Sequence, residues 1–92
     1  MEKRKPAYPL ADIKSALGSV ETLSITVSAY RDAVQLGFDR AAIVEVIQTV
    51  DQKMFVKSMT THADHRVWQD VYNVPAADMV LYVKFQAGVV TE

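Results

Sequence analysis

No cysteine occurs in this 92-residue chain, which excludes a disulfide framework and any metal site built on thiolates. No apolar run approaches the length of a membrane-spanning helix. The charged start MEKRKPAYPL is not followed by the apolar stretch of a secretory signal. A basic surplus is lacking as well, since ten Lys and Arg face eleven Asp and Glu. Proteins that grip nucleic acid non-specifically carry a positive excess, so any such role here has to rest on a local patch. Internal repeats and low-complexity segments are absent too. What is left is one domain spanning residues 1–92, expected to work in the cytoplasm. Half of its residues are apolar, enough for a core even at a length close to the lower limit for folding without staples.

The first half reads as helical. Pro9 stands where helices begin, and Leu10, Ile13 and Leu17 recur at helical spacing before Gly18. A second helix is predicted from about Thr26 or Ser28 to Leu36, with Ala29, Ala33 and Leu36 on one face and Gly37 able to end it. Asp39 then reads as an N-cap between Phe38 and Ile43, and starts a third helix over about Arg40 to Val50. From Met54 the period of the pattern falls to two. Strands are predicted over Met54–Thr61, Arg66–Tyr72 and Met79–Ala87, with another starting at Val89. His62–His65 forms a tight hairpin loop in this reading. Asn73–Asp78, with Pro75, forms a longer turn, and Lys3, Arg4 and Lys5 are a solvated start. Helices followed by hairpins predict an α+β fold, an antiparallel sheet covered on one face by about three helices.

Alternation then sorts the side chains by face. Leu81, Val83 and Phe85 point to the core, opposite Val80, Tyr82, Lys84 and Gln86. Phe55, Lys57 and Met59 share one side of the first long strand. With Trp68 in the core, Gln69 shares the open face with Tyr82 and Lys84, and Lys57 joins them if the register is regular. An ammonium, an amide and a phenol on neighbouring strands would make a cradle for a phosphodiester.

The same residues carry a family resemblance. KSMTT from Lys57, the Asp64-His65 pair, WQDVY from Trp68 and Tyr82-Val83-Lys84 together resemble the MqsR toxins of bacterial toxin–antitoxin modules. MEKR at the start and Leu36-Gly37 after the second helix agree, so the likeness covers nearly the whole chain. It implies a RelE-like fold and a ribosome-independent endoribonuclease that cuts mRNA at short GC-containing sequences. It also implies control by an MqsA-type antitoxin that binds zinc and DNA, so that DNA is reached only through the antitoxin. The family's proposed catalytic residues fall on Lys57, Gln69 and Tyr82, and Met59 matches a position linked to substrate contact. Two departures stand out: Val56 replaces an aromatic residue common before the lysine, and relatives continue into a last strand with a basic end, which this sequence lacks.

Metal-free RNA cleavage needs the 2′-OH deprotonated, charge on the phosphorane offset and the 5′-oxygen protonated. Lys57 suits phosphorane stabilisation; as a base it would need a depressed pKa. Tyr82 could donate a proton or stack on a base, Gln69 could orient phosphate or base, and Lys84 would add positive potential. Each has a plainer role, from an edge-protecting lysine to a cross-strand packing partner. His62 and His65 allow two further readings, acid–base work or a zinc pair lacking a fourth ligand, against a purely turn-shaping role. The non-enzymatic rival is a toxin-fold protein that binds its antitoxin and adjusts the antitoxin's DNA binding.

Overall fold

A computed structural model describes residues 1–91. Its elements are β1 (Glu2–Lys3), α1 (Leu10–Ala16), α2 (Val27–Gln35), α3 (Arg40–Thr49), a 3-10 turn (Gln52–Met54), β2 (Phe55–Thr60), β3 (Trp68–Ala76), β4 (Met79–Gln86) and β5 (Val89–Thr91). The sheet runs β1-β2-β3-β4-β5 with every neighbour antiparallel. The α+β architecture therefore agrees with the sequence pattern.

The three helices start and stop close to where capping chemistry puts them. The Asp39 carboxylate accepts a hydrogen bond from the Ala42 N–H at 2.8 Å, and Thr26 caps α2 in the same way through Ala29. Gly37 follows α2 with a positive φ of 93°. Leu10, Ile13 and Leu17 from the first helix region meet Ile43, Ile47 and Val50 around α3, against Tyr72, Val74, Phe85 and Val90 of the sheet. Helix α2 is the outlier. None of its residues is fully buried, and the face carrying Ala29, Ala33 and Leu36 borders an apolar groove of about 570 Å³ between α2, α3 and β4.

Four expectations change. Lys3 and its neighbours are not merely a solvated start: Glu2 and Lys3 pair with Met59 and Ser58 as β1. The hairpin loop between β2 and β3 is longer than His62–His65 and covers residues 61–67, so the strand begins at Trp68 rather than Arg66. Asp64 shapes it, accepting from the Arg66 N–H at 2.9 Å and from the Arg66 side chain. The predicted turn at Asn73–Asp78 contracts to Ala77-Asp78, because β3 runs on through Pro75. Proline is tolerated there because β2 pairs with β3 only as far as Tyr72; beyond it, a missing N–H on that side breaks no ladder bond.

The fourth change concerns register. Phe55 pairs with Tyr72, but Lys57 pairs with Val71, so Val56 is the extra residue of a β-bulge. Phe55 therefore faces the core, with its ring 5.5 Å from that of Tyr72, and not the face of Lys57 and Met59. Without the bulge, a strand anchored by Phe55 would turn Lys57 inward.

Tyr72 is fully buried, and its hydroxyl has no hydrogen-bond partner among the described residues. Burial first, and the nearby Asp70 charge second, push its phenol up to about 12. The neutral form is thus favoured by folding, so this contribution is intact below the usual tyrosine pKa near 10 and fades as pH rises towards 12. Tyr72→Phe removes an unpartnered polar atom and is expected to leave stability equal or higher at neutral pH. It should also blunt alkaline unfolding above pH 10, as followed by urea titration at several pH values.

Candidate active site

Paired residues in an antiparallel ladder share a face, so the register fixes which side chains stand together. One row crosses the sheet as Lys57, Val71, Lys84 and Thr91. One step to one side lies Met59 opposite Gln69; one step to the other lies Asn73 opposite Tyr82. Lys57, Met59, Gln69, Tyr82 and Lys84 all occupy this face, the one turned away from the helices. The two ammonium-bearing residues form its middle, with Gln69 and Tyr82 on opposite flanks.

Val71 is the floor. It is 0% exposed although it points away from the main core. The aliphatic stems of its row partners Lys57 and Lys84 lie next to it, the arrangement in which lysine covers apolar surface while its charge stays wet. The Lys84 ammonium stands 5.6 Å from the centre of the Tyr82 ring. Tyr82 itself is 55% exposed, available to a ligand. Gln69 Nε2 donates to Gln86 Oε1 at 3.3 Å and to Thr91 Oγ1 at 3.1 Å. Those bonds fix the amide plane and leave its Oε1 without a donor among the described residues.

Lys57 is held by a residue the sequence pattern missed. Its Nζ donates to Glu2 Oε1 at 2.9 Å. This hydrogen bond, and then the Glu2 charge, raise the lysine above its usual range, with a smaller contribution from Tyr82. The ammonium form therefore dominates at neutral pH, which fits charge stabilisation and not proton abstraction by Lys57. The reciprocal bond from Lys57 holds the Glu2 carboxyl below the usual range. A two-residue strand has no periodicity to detect; the MEKR match was the one available hint.

Trp68 takes the core side, where the Lys3 ammonium lies 4.2 Å from its ring centre. Asp70 was also missed. It is 0% exposed and accepts from the Ala7 and Tyr8 N–H groups at 2.9 Å each, while the Tyr8 hydroxyl donates to the Trp68 carbonyl at 2.7 Å. These bonds pin the segment that leads out of β1. His62 and His65 are exposed in the β2–β3 loop, past the Thr60–Trp68 end of the ladder, and do not join Lys57. Among the described residues no three His, Asp or Glu side chains gather as a metal site.

The sequence matches the model of the MqsR toxin family, described as motility quorum-sensing regulator, toxin of MqsA, over residues 5–92. The chain belongs to the MqsR toxin family. A relative, the mRNA interferase toxin MqsR of Escherichia coli (strain K12), is 40% identical over 86 residues, covering 91% of this chain and 85% of the relative. MqsA is thus the antitoxin named for this family. No helix among the described residues is long and apolar enough to cross a membrane.

Proposed function

We propose that this MqsR-family protein is an mRNA interferase, an endoribonuclease that cuts at short GC-containing sequences without the ribosome, and that an MqsA-type antitoxin restrains it. The observation that carries the reading is the shared, solvent-facing surface of Lys57, Lys84, Gln69 and Tyr82 in a chain of this toxin family. Lys57 and Lys84 bind the scissile phosphate and offset the charge that grows on the phosphorane. Gln69 orients phosphate or base, Met59 contacts the substrate, and Tyr82 protonates the departing 5′-oxygen. The 2′-OH supplies the nucleophile, which restricts the substrate to RNA. The protein acts in the cytoplasm, its antitoxin binds zinc and DNA, and this chain meets DNA only through that partner.

Purified protein is expected to cleave a GC-containing RNA oligonucleotide and to spare the same strand carrying one 2′-deoxy sugar at the cut site. Tyr82→Phe removes the phenolic proton but keeps the ring. It should lower kcat by about 10²-fold with little change in KM, as general acid catalysis requires. Wild-type rates for Tyr82→Phe would reduce Tyr82 to a packing or stacking residue. Cleavage of the 2′-deoxy strand would reject the 2′-OH mechanism.

A further inference from the structure

The side chains proposed above leave one role unfilled. An amide neither gives nor takes a proton usefully, an ammonium held in its charged form cannot accept one, and the phenol is needed as the acid. The open face nonetheless contains a carboxylate. Glu2 stands on β1 opposite Met59, with its side chain reaching diagonally to the Lys57 ammonium at 2.9 Å. It is 61% exposed at the side chain, so substrate can reach it.

We propose that Glu2 is the general base of the RNA cleavage, taking the proton of the 2′-OH whose oxygen attacks the phosphate bound at Lys57. The inference rests on the ribonuclease reading above and deepens it. Its strongest support is placement. In-line displacement puts the attacking 2′-oxygen and the leaving 5′-oxygen on opposite sides of phosphorus. Glu2 lies at the Met59–Gln69 side of the Lys57–Lys84 row, and Tyr82 lies one step away on the other side. A phosphate centred on that row has a base on one flank and an acid on the other.

The step balances. The 2′-OH proton passes to the Glu2 carboxylate as the 2′-oxygen–phosphorus bond forms. The phosphorus–5′-oxygen bond breaks, and the leaving oxygen takes the phenolic proton of Tyr82. The products are a 2′,3′-cyclic phosphate and a 5′-hydroxyl, and proton exchange with water resets both residues. Substrate also makes the base stronger. The bond from Lys57 is the first cause of the low Glu2 pKa, and an arriving phosphate competes for that ammonium. The other charges that bear on Glu2 are the N-terminal ammonium and Arg4, both on its own segment.

The test uses the untagged full chain with the GC-containing RNA. Glu2→Gln keeps the shape and loses the base. It should lower kcat by about 10²-fold while KM stays within a few-fold, and flatten the acid limb of the kcat/KM–pH profile. Glu2→Ala should recover part of its rate in added formate. A Glu2→Gln enzyme as fast as wild type, or faster because a competing anion has gone, overturns the proposal. So does a slow variant that keeps the wild-type acid limb and gains nothing from formate, since that describes a positioning role for Lys57. Loss of activity in Lys57→Ala and Tyr82→Phe with normal Glu2→Gln activity would reject Glu2 alone. Wild-type protein that leaves RNA intact rejects the ribonuclease reading and the base with it.

Discussion

Lys57→Ala is expected to reduce RNA cleavage by about 10²–10³-fold, the usual cost of removing a group that stabilises developing charge. Fold stability should hardly change. The side chain is partly exposed, and its bond to Glu2 joins two solvent-accessible groups, a kind of pair that contributes little to folding. Losing its stem does uncover Val71, so a small fall in the unfolding midpoint is expected. Lys57→Arg keeps the charge but replaces a compact ammonium by a planar fork, and should recover only part of the rate. Single-turnover cleavage of one labelled RNA, beside thermal unfolding of each variant, separates these effects. Full activity in Lys57→Ala would remove Lys57 from the chemistry and leave it as a charge on an interior strand paired with Glu2 of β1.

The second large effect is on stability. Asp70→Ala should destabilise the fold by about 3 kcal/mol, because hydrogen bonds to a charged acceptor are each worth about 1.5–3 kcal/mol and two are lost. Taking a carboxylate out of water offsets part of that gain in the native protein, which is why the sum is placed at the lower end. The freed Ala7 and Tyr8 N–H groups sit in a partly buried segment and are costly to leave unpaired. Urea titration gives the number. Proteolysis should show the mechanism, with cleavage near residues 4–9 preceding global unfolding. An equally stable, equally resistant variant would mean that the segment is held by Tyr8 packing instead.

Much of this architecture was legible because each rule acted locally. Asp39 and Thr26 cap the helices they precede, and β4 alternates cleanly enough to separate Tyr82 and Lys84 from Val83 and Phe85. The shared face was legible on the same grounds, since alternation sorts Lys57, Gln69 and Tyr82 onto one side of the sheet. For Lys57, alternation alone is insufficient. Simple alternation placed Phe55 beside it, whereas the two fall on opposite sides because one residue is unpaired between them. A bulge leaves no compositional mark in FVKSM, so only the partner strand reveals it. Pro75 misled for a related reason. Proline marks a turn unless its strand has already lost a neighbour, and that depends on where β2 stops. Glu2 and Asp70 were out of reach because each acts across more than fifty residues of sequence, Glu2 on Lys57 and Asp70 on Ala7 and Tyr8.

The pairing of Glu2 with Met59 also bears on when the proposed cutting surface is assembled. Glu2 leaves the ribosome more than fifty residues ahead of its strand partner, and Gln69 is tied to Thr91 still further on. A growing chain therefore holds the Lys57, Gln69 and Tyr82 face incomplete until Thr91 has been made. On the proposed ribonuclease reading, strand order alone keeps that surface from forming before β5 is synthesised.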